Sequence, residues 1–291
     1  MGINFNPNIS LNSINFRATE NIKRPVAQQT QPDTFVRQDP KIMYRQRLEY
    51  LFPNGELEQI FLEMCKEIGL DYPPRLVIAD ENNPDAGGGY YFTKNTIYLD
   101  ITDSLGATSK IYGIKDGKKE VIISDNTGLP LIIDPRVAFI LNLKQPKIKD
   151  YDKISAEPAT REDCRKLFLQ KLCHEIIHAK QHAIMQQTEG IGDKAIIKAW
   201  FHAPKNLDPK QEQALNKAIK EQYNKSFWKT HSTKVIYSKD SAEGIKANEY
   251  LNAIQNYPAE IDSPEYLENT IEKEAYWQSA EYIIEKYGEW T

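Results

Sequence analysis

The eight residues Leu172-Cys173-His174-Glu175-Ile176-Ile177-His178-Ala179 constrain this chain more than any other stretch. They carry H-E-x-x-H inside a run, Arg161 to Gln187, that holds neither Pro nor Gly. Thr160-Arg161-Glu162-Asp163, just after Pro158, reads as an N-cap followed by acidic residues in a first helical turn. Cys164, Phe168, Leu172, Ile176, Ala179 and Ala183 then recur at helical spacing, so the motif falls in the middle of a helix with an apolar stripe beside it. Residues four apart on a helix share a face, and His174 and His178 can turn two imidazoles toward one metal ion. Glu175 lies about 100° further round. That places it beside such an ion, where a carboxylate can take a proton from a coordinated water. The competing reading is a core helix with two hydrogen-bonded histidines and no metal.

A catalytic zinc site usually has three protein ligands and one open position. His182 does not qualify: on a continuing helix it lies about 12 Å from His174, too far to share an ion. It is expected to flank a cleft or to be solvated. The longer pattern H-E-x-x-H-x-x-G-x-x-H also fails, because Gln181 stands at its glycine position and Ile184 at its last histidine position. The third ligand must come from elsewhere in the chain.

Here the sequence resembles the zincin metallopeptidases, in particular the gluzincin-like branch, which pairs H-E-x-x-H with a downstream Glu in a helical E-x-x-[A/S]-D pattern. Glu272-Lys273-Glu274-Ala275-Tyr276 matches E-x-x-A. The resemblance implies Glu272 as the third ligand and Ala275 as the small residue. It puts Tyr276 where the family has an Asp that orients a ligand histidine, and the Tyr276 hydroxyl is a candidate for that task. Independently of the resemblance, Glu272 has small helical neighbours in Ala275 and Ser279, which allow close helix approach. Glu274 on another face is the second candidate, and Glu260, ahead of the Ser263-Pro264 cap, the third. Alternatively all three are solvated helix charges.

The expected activity is that of a zinc-dependent metallopeptidase with one Zn2+ per chain held by His174, His178 and Glu272. Glu175 is the general base toward a zinc-activated water, and a peptide or protein is the substrate. Tyr276, His202 and His231 are candidate donors to the developing oxyanion. Two other readings stand beside this one. The first is a catalytically inactive zincin-fold protein used for binding or as a scaffold. The second is a DNA-associated protease of the SprT type, whose active helix can also read H-E-x-x-H-A. That type brings basic segments and a further histidine ligand, whereas this chain has a net charge of −4. Nucleic acid is therefore not an expected partner.

No apolar run approaches the roughly 18 residues of a membrane span. Met1 to Glu20 has no apolar core of a signal peptide, which leaves a soluble protein, cytoplasmic or exported without a recognisable signal. Cys65, Cys164 and Cys173 are an odd count without a close pair, which suits a reducing compartment. Cys173 is read as a small core residue rather than a ligand.

Residues 1–39 are rich in Asn, Gln, Thr and Pro and read as a disordered tail, with a single metallopeptidase-like domain over residues 40–291. Lys41 to Leu70 reads as helix broken at Pro53-Asn54-Gly55, and Arg75 to Ala79 as a strand. The glycine-rich Gly87 to Tyr91 leads through a turn at Thr93-Lys94-Asn95 into a strand, Thr96 to Ile101. Such a hairpin suits either an edge strand beside a cleft or a plain surface hairpin. Asp116-Gly117 marks a second hairpin, Thr127-Gly128 leads into a strand from Leu129 to Ile133, and Lys144 to Pro158 reads as a surface connection. After the motif helix come helices over Ala195–Phe201, from Asp208-Pro209 to about Trp228, over Ser241–Asn256, and one continuous last helix from Ser263-Pro264 to about Tyr287. The fold class is α+β, a small, mostly antiparallel sheet followed by a helical half that carries the H-E-x-x-H helix.

Overall fold

A computed structural model describes residues 48–79, 89–100, 109–124, 130–131, 153–158, 160–202, 207–258 and 264–288. The expected tail, Glu260 and the turn at Thr127-Gly128 lie outside the described residues. In chain order the helices are α1 (Glu56–Ile68), α2 (Arg161–Gln186), α3 (Asp193–Trp200), α4 (Pro209–Lys225), α5 (Ala242–Gln255), α6 (Pro264–Glu268) and α7 (Thr270–Tyr287). The strands are β1 (Arg75–Ala79), β2 (Gly89–Tyr91), β3 (Thr96–Asp100), β4 (Ser109–Lys115), β5 (Lys118–Ser124), β6 (Pro130–Leu131) and β7 (Lys153–Pro158). The class is α+β, mostly helical.

The motif helix α2 is the centre of the core. Its start is fixed by a full capping box: the Asp163 amide donates to Thr160 Oγ1 at 3.1 Å, and the Thr160 amide donates to Asp163 Oδ2 at 2.8 Å. From there α2 packs against α7, α5, α1, β2 and β3. Partners on so many sides explain why the helix is buried nearly all round rather than on one stripe. Phe168, Leu169, Leu172, Cys173, Ile176 and Ile177 are all buried. Each such Leu, Ile or Phe contributes about 1.5–3 kcal/mol of burial. The three cysteines are free and buried, and burial pushes the Cys65 thiol up to about 12. Cys173 is a core residue, as its position in the sequence implies.

Two sheets are present among the described residues, where the sequence suggested one. The first is three-stranded and mixed, in the order β1-β3-β2, with β1 parallel and β2 antiparallel to the central β3. The parallel pair requires a crossover between β1 and β3 that strand patterning alone does not announce. The second is antiparallel, in the order β6-β5-β4-β7. Its β4–β5 hairpin turns at Asp116 and Gly117, with φ of 50° and 76°, as the Asp-Gly pair predicts. The segment 153–158, read from sequence as part of a surface connection, is instead the edge strand β7 on β4. Pro158 sits at its end, where a missing amide costs the ladder least.

The helices follow their caps. Asp208 accepts from the amides of Lys210 and Gln211 ahead of Pro209, and Ser241 Oγ accepts from the Gly244 amide. The last helix differs from expectation. It breaks at Asn269, whose Oδ1 caps the Ile271 amide while its Nδ2 donates to the Ala253 carbonyl at 3.1 Å. The break separates α6 from α7 and places Glu272 in the first turn of α7, where a carboxylate is favoured by the helix dipole. Among the described residues no helix is long and apolar enough to cross a membrane.

Candidate metal centre

Three buried side chains meet between α2 and α7. His174 Nε2 and His178 Nε2 lie 2.9 Å apart. Glu272 Oε2 is 3.3 Å from His174 Nε2, and its Oε1 is 3.4 Å from His178 Nε2. Around a tetrahedral zinc with bonds near 2.0–2.1 Å, ligand atoms stand about 3.3–3.4 Å from one another. The two edges from Glu272 match that spacing, the His174–His178 edge is shorter and has to open by a few tenths of an ångström to hold such an ion, and two imidazoles with one carboxylate fit it in chemistry. Among the described residues this is the one group of three His, Cys, Asp or Glu side chains able to hold a metal ion.

The orientation of His178 is built in. Gln181, one turn on, donates from Nε2 to the Ile271 carbonyl at 2.9 Å. Its Oε1 must then face His178 Nδ1, 2.8 Å away, and accept from it. A neutral His178 so fixed carries its hydrogen on Nδ1 and turns the Nε2 lone pair into the cluster, the form a metal ligand needs. Burial works against a His178 cation, but the Glu272 carboxylate outweighs it and pushes the group up to about 9. Burial likewise opposes a Glu272 anion, and the two histidines outweigh it, so that carboxyl is held well below its usual range.

Glu272 is 0% exposed, and both its oxygens are hydrogen-bonded. Tyr257 donates to Oε1 at 2.5 Å and Tyr266 to Oε2 at 2.9 Å. Glu175, also buried, points its carboxylate at β2, where the Tyr90 backbone amide donates to it. Its Oε2 has no partner. Burial raises its pKa against the opposing pull of His174 and His178.

Of the residues named from sequence, His174, His178 and Glu272 are brought together, with Glu175 beside them on α2. Glu274 faces elsewhere: Lys246 pairs with it, and Tyr250 and Gln278 donate to it. Tyr276 lays its ring against His174, with centroids 4.2 Å apart. It does not hydrogen-bond His174 Nδ1, which has no hydrogen-bond partner. His202 and His231 are exposed; His202 contacts the Gln255 carbonyl, and His231 stacks on Phe227 at 3.9 Å. His182 is neither at a cleft rim nor solvated. It is buried, stacked on Phe92 at 4.6 Å, tilted against Tyr90 and parallel to Trp200. Burial lowers it to about 3.

Gln181, Tyr257 and Tyr266 were not singled out as site residues from sequence. The spacing of Gln181, three residues past His178 on one helix face, was a usable signal. The two tyrosines gave none, since their link to Glu272 depends on how α5, α6 and α7 pack. Compared with known proteins, the chain matches no family model, no curated protein and no solved structure.

Proposed function

We infer that this protein is a zinc-dependent peptidase, with His174, His178 and Glu272 as the metal ligands and Glu175 as the general base. The observation that carries the reading is the trio of ligand atoms 2.9 to 3.4 Å apart, with Glu175 next to it in sequence. Zinc held there would supply Lewis acidity toward a peptide carbonyl and acidify a water at the open position. His178 keeps its lone pair on the cluster through Gln181. Glu175 takes the proton from the water and hands it to the leaving amine. The Tyr90 amide holds one side of that carboxylate, and the partnerless Oε2 is the side free to take the proton.

Among the described residues strand β2 is an edge of its sheet, and it lies against α2. An extended peptide running along it would find backbone partners beside Glu175. A glutamate as third ligand and a net charge of −4 favour this reading over a DNA-associated protease.

The test is hydrolysis of a mixed peptide library by wild type and by Glu175→Gln, both loaded with zinc. General acid–base catalysis contributes about 10²–10⁴-fold, and turnover should fall by that much with zinc content unchanged. Equal cleavage by the two proteins rules the mechanism out. No cleavage by zinc-loaded wild type favours the binding or scaffold reading.

A further inference from the structure

We propose that Tyr257 and Tyr266 clamp the Glu272 carboxylate and thereby make the site selective for a small ion of low coordination number over manganese(II). This inference rests on the cluster being a metal site.

The clamp is built from separate elements. Tyr257 follows the C-terminus of α5, Tyr266 lies on α6, and Glu272 opens α7. The two phenols reach opposite oxygens of one carboxylate, at 2.5 and 2.9 Å. The rings steady each other edge to face at 5.7 Å, and Tyr257 also leans on Trp200 at 5.5 Å. Asn269 ties the base of α7 to the Ala253 carbonyl of α5, so the glutamate and the end of α5 are held in one frame. Each oxygen accepts one phenol and turns toward one imidazole nitrogen, Oε1 toward His178 and Oε2 toward His174.

A carboxylate fixed at both ends cannot rotate to suit a different ion. Selectivity among divalent ions follows donor number, site size and flexibility. Manganese(II) prefers about six oxygen-rich ligands. A rigid trio with two imidazoles offers few oxygens and no freedom to rearrange. Zinc and cobalt(II) accept four ligands of this kind. The tyrosines act through Glu272 and are positioning residues.

The test measures zinc(II), cobalt(II) and manganese(II) affinities of wild type, Tyr257→Phe, Tyr266→Phe and the double variant, with the visible absorption of the cobalt(II) forms. In the double variant zinc affinity should fall about 10–100-fold. Manganese(II) affinity should stay the same or rise, so that the zinc-to-manganese ratio drops at least tenfold, roughly the lower end of that loss. The cobalt(II) bands should weaken and shift as the freed carboxylate admits a further ligand. A general loosening of the fold lowers all three affinities together and leaves the ratio alone, so an unchanged ratio and cobalt(II) spectrum overturn the clamp while the metal site stands. If the double variant does not fold, the ratio in Tyr257→Phe decides in the same way. Wild type that binds none of the three ions overturns both the clamp and the metal site.

Discussion

His178 and His182 sit one turn apart on α2, both buried, and helical spacing treats them alike. Their surroundings do not. Against His178, α7 sets a carboxylate and Gln181 a carbonyl oxygen, so both ring nitrogens face polar atoms. Against His182 the structure sets rings: Phe92 and Tyr90 from the sheet side, and Trp200 at the end of α3. Its Nδ1 has no partner. The same side chain is thus pushed up to about 9 in one place and lowered to about 3 in the other. The helix supplies only the positions. Which histidine can serve a metal is decided by the element packed on it.

That contrast can be broken or sharpened by substitution. The largest effect is expected for His178→Ala. Loss of a ligand should weaken zinc binding by more than about 100-fold, the upper end of what an indirect partner is worth. His182→Phe should leave zinc affinity within a factor of about two, well short of even an indirect partner's effect. Titration calorimetry measures both, and equal losses would erase the distinction.

Next in size is Gln181→Leu, which keeps the His178 ring but frees its tautomer and tilt. Zinc affinity should drop about 10–100-fold, with the metal still bound at saturation. An unchanged affinity would mean that packing alone holds the ring.

A third change reads out His182 itself. Its folded-state pKa, about 3, lies below the ordinary value of 6.5. Between those values the unfolded chain binds a proton that the folded one refuses, so stability rises with pH across that window. The His182 contribution is fully present above 6.5 and is lost as pH falls toward 3. The slope is at most about 1.4 kcal/mol per pH unit. Urea melts at pH 7 and pH 5 should show His182→Phe losing about 2 kcal/mol less than wild type between the two. At pH 7 the variant should be no less stable than wild type, since it removes a buried nitrogen without a partner. Parallel losses with pH would show that His182 ionises normally.

The smallest effect is expected for Thr160→Ala. Loss of this cap should cost about 1 kcal/mol of stability and leave zinc affinity alone. A change in affinity would mean that the two histidine environments depend on how firmly α2 is started.

The legible parts of the molecule are those written locally. The N-cap at Thr160, the Pro-Asn-Gly break before α1, the Asp-Gly hairpin and the cap at Asp208 each act within a few residues, and each is where the sequence places it. The pairing of Glu272 with the two motif histidines was also within reach, because Ala275 and Ser279 leave room for close approach and both are fully buried. What escaped was non-local. Strand β7 exists because β4 offers it an edge. The parallel register of β1 and β3 needs a crossover. Asn269 breaks the last helix partly through its bond to a carbonyl of α5. His182 looked like a rim residue because the rings that enclose it come from far along the chain. Tyr257 and Tyr266 carry no mark in their own neighbourhoods of the carboxylate they hold.

The most direct test of the metal centre is zinc content by mass spectrometry on wild type and Glu272→Ala, purified in parallel after equal exposure to zinc. The geometry predicts about one zinc per wild-type chain, the usual stoichiometry of a three-ligand site, and almost none in the variant. Equal zinc in the two proteins, or none in wild type, would contradict it and leave His174, His178 and Glu272 as a hydrogen-bonded polar knot in the core.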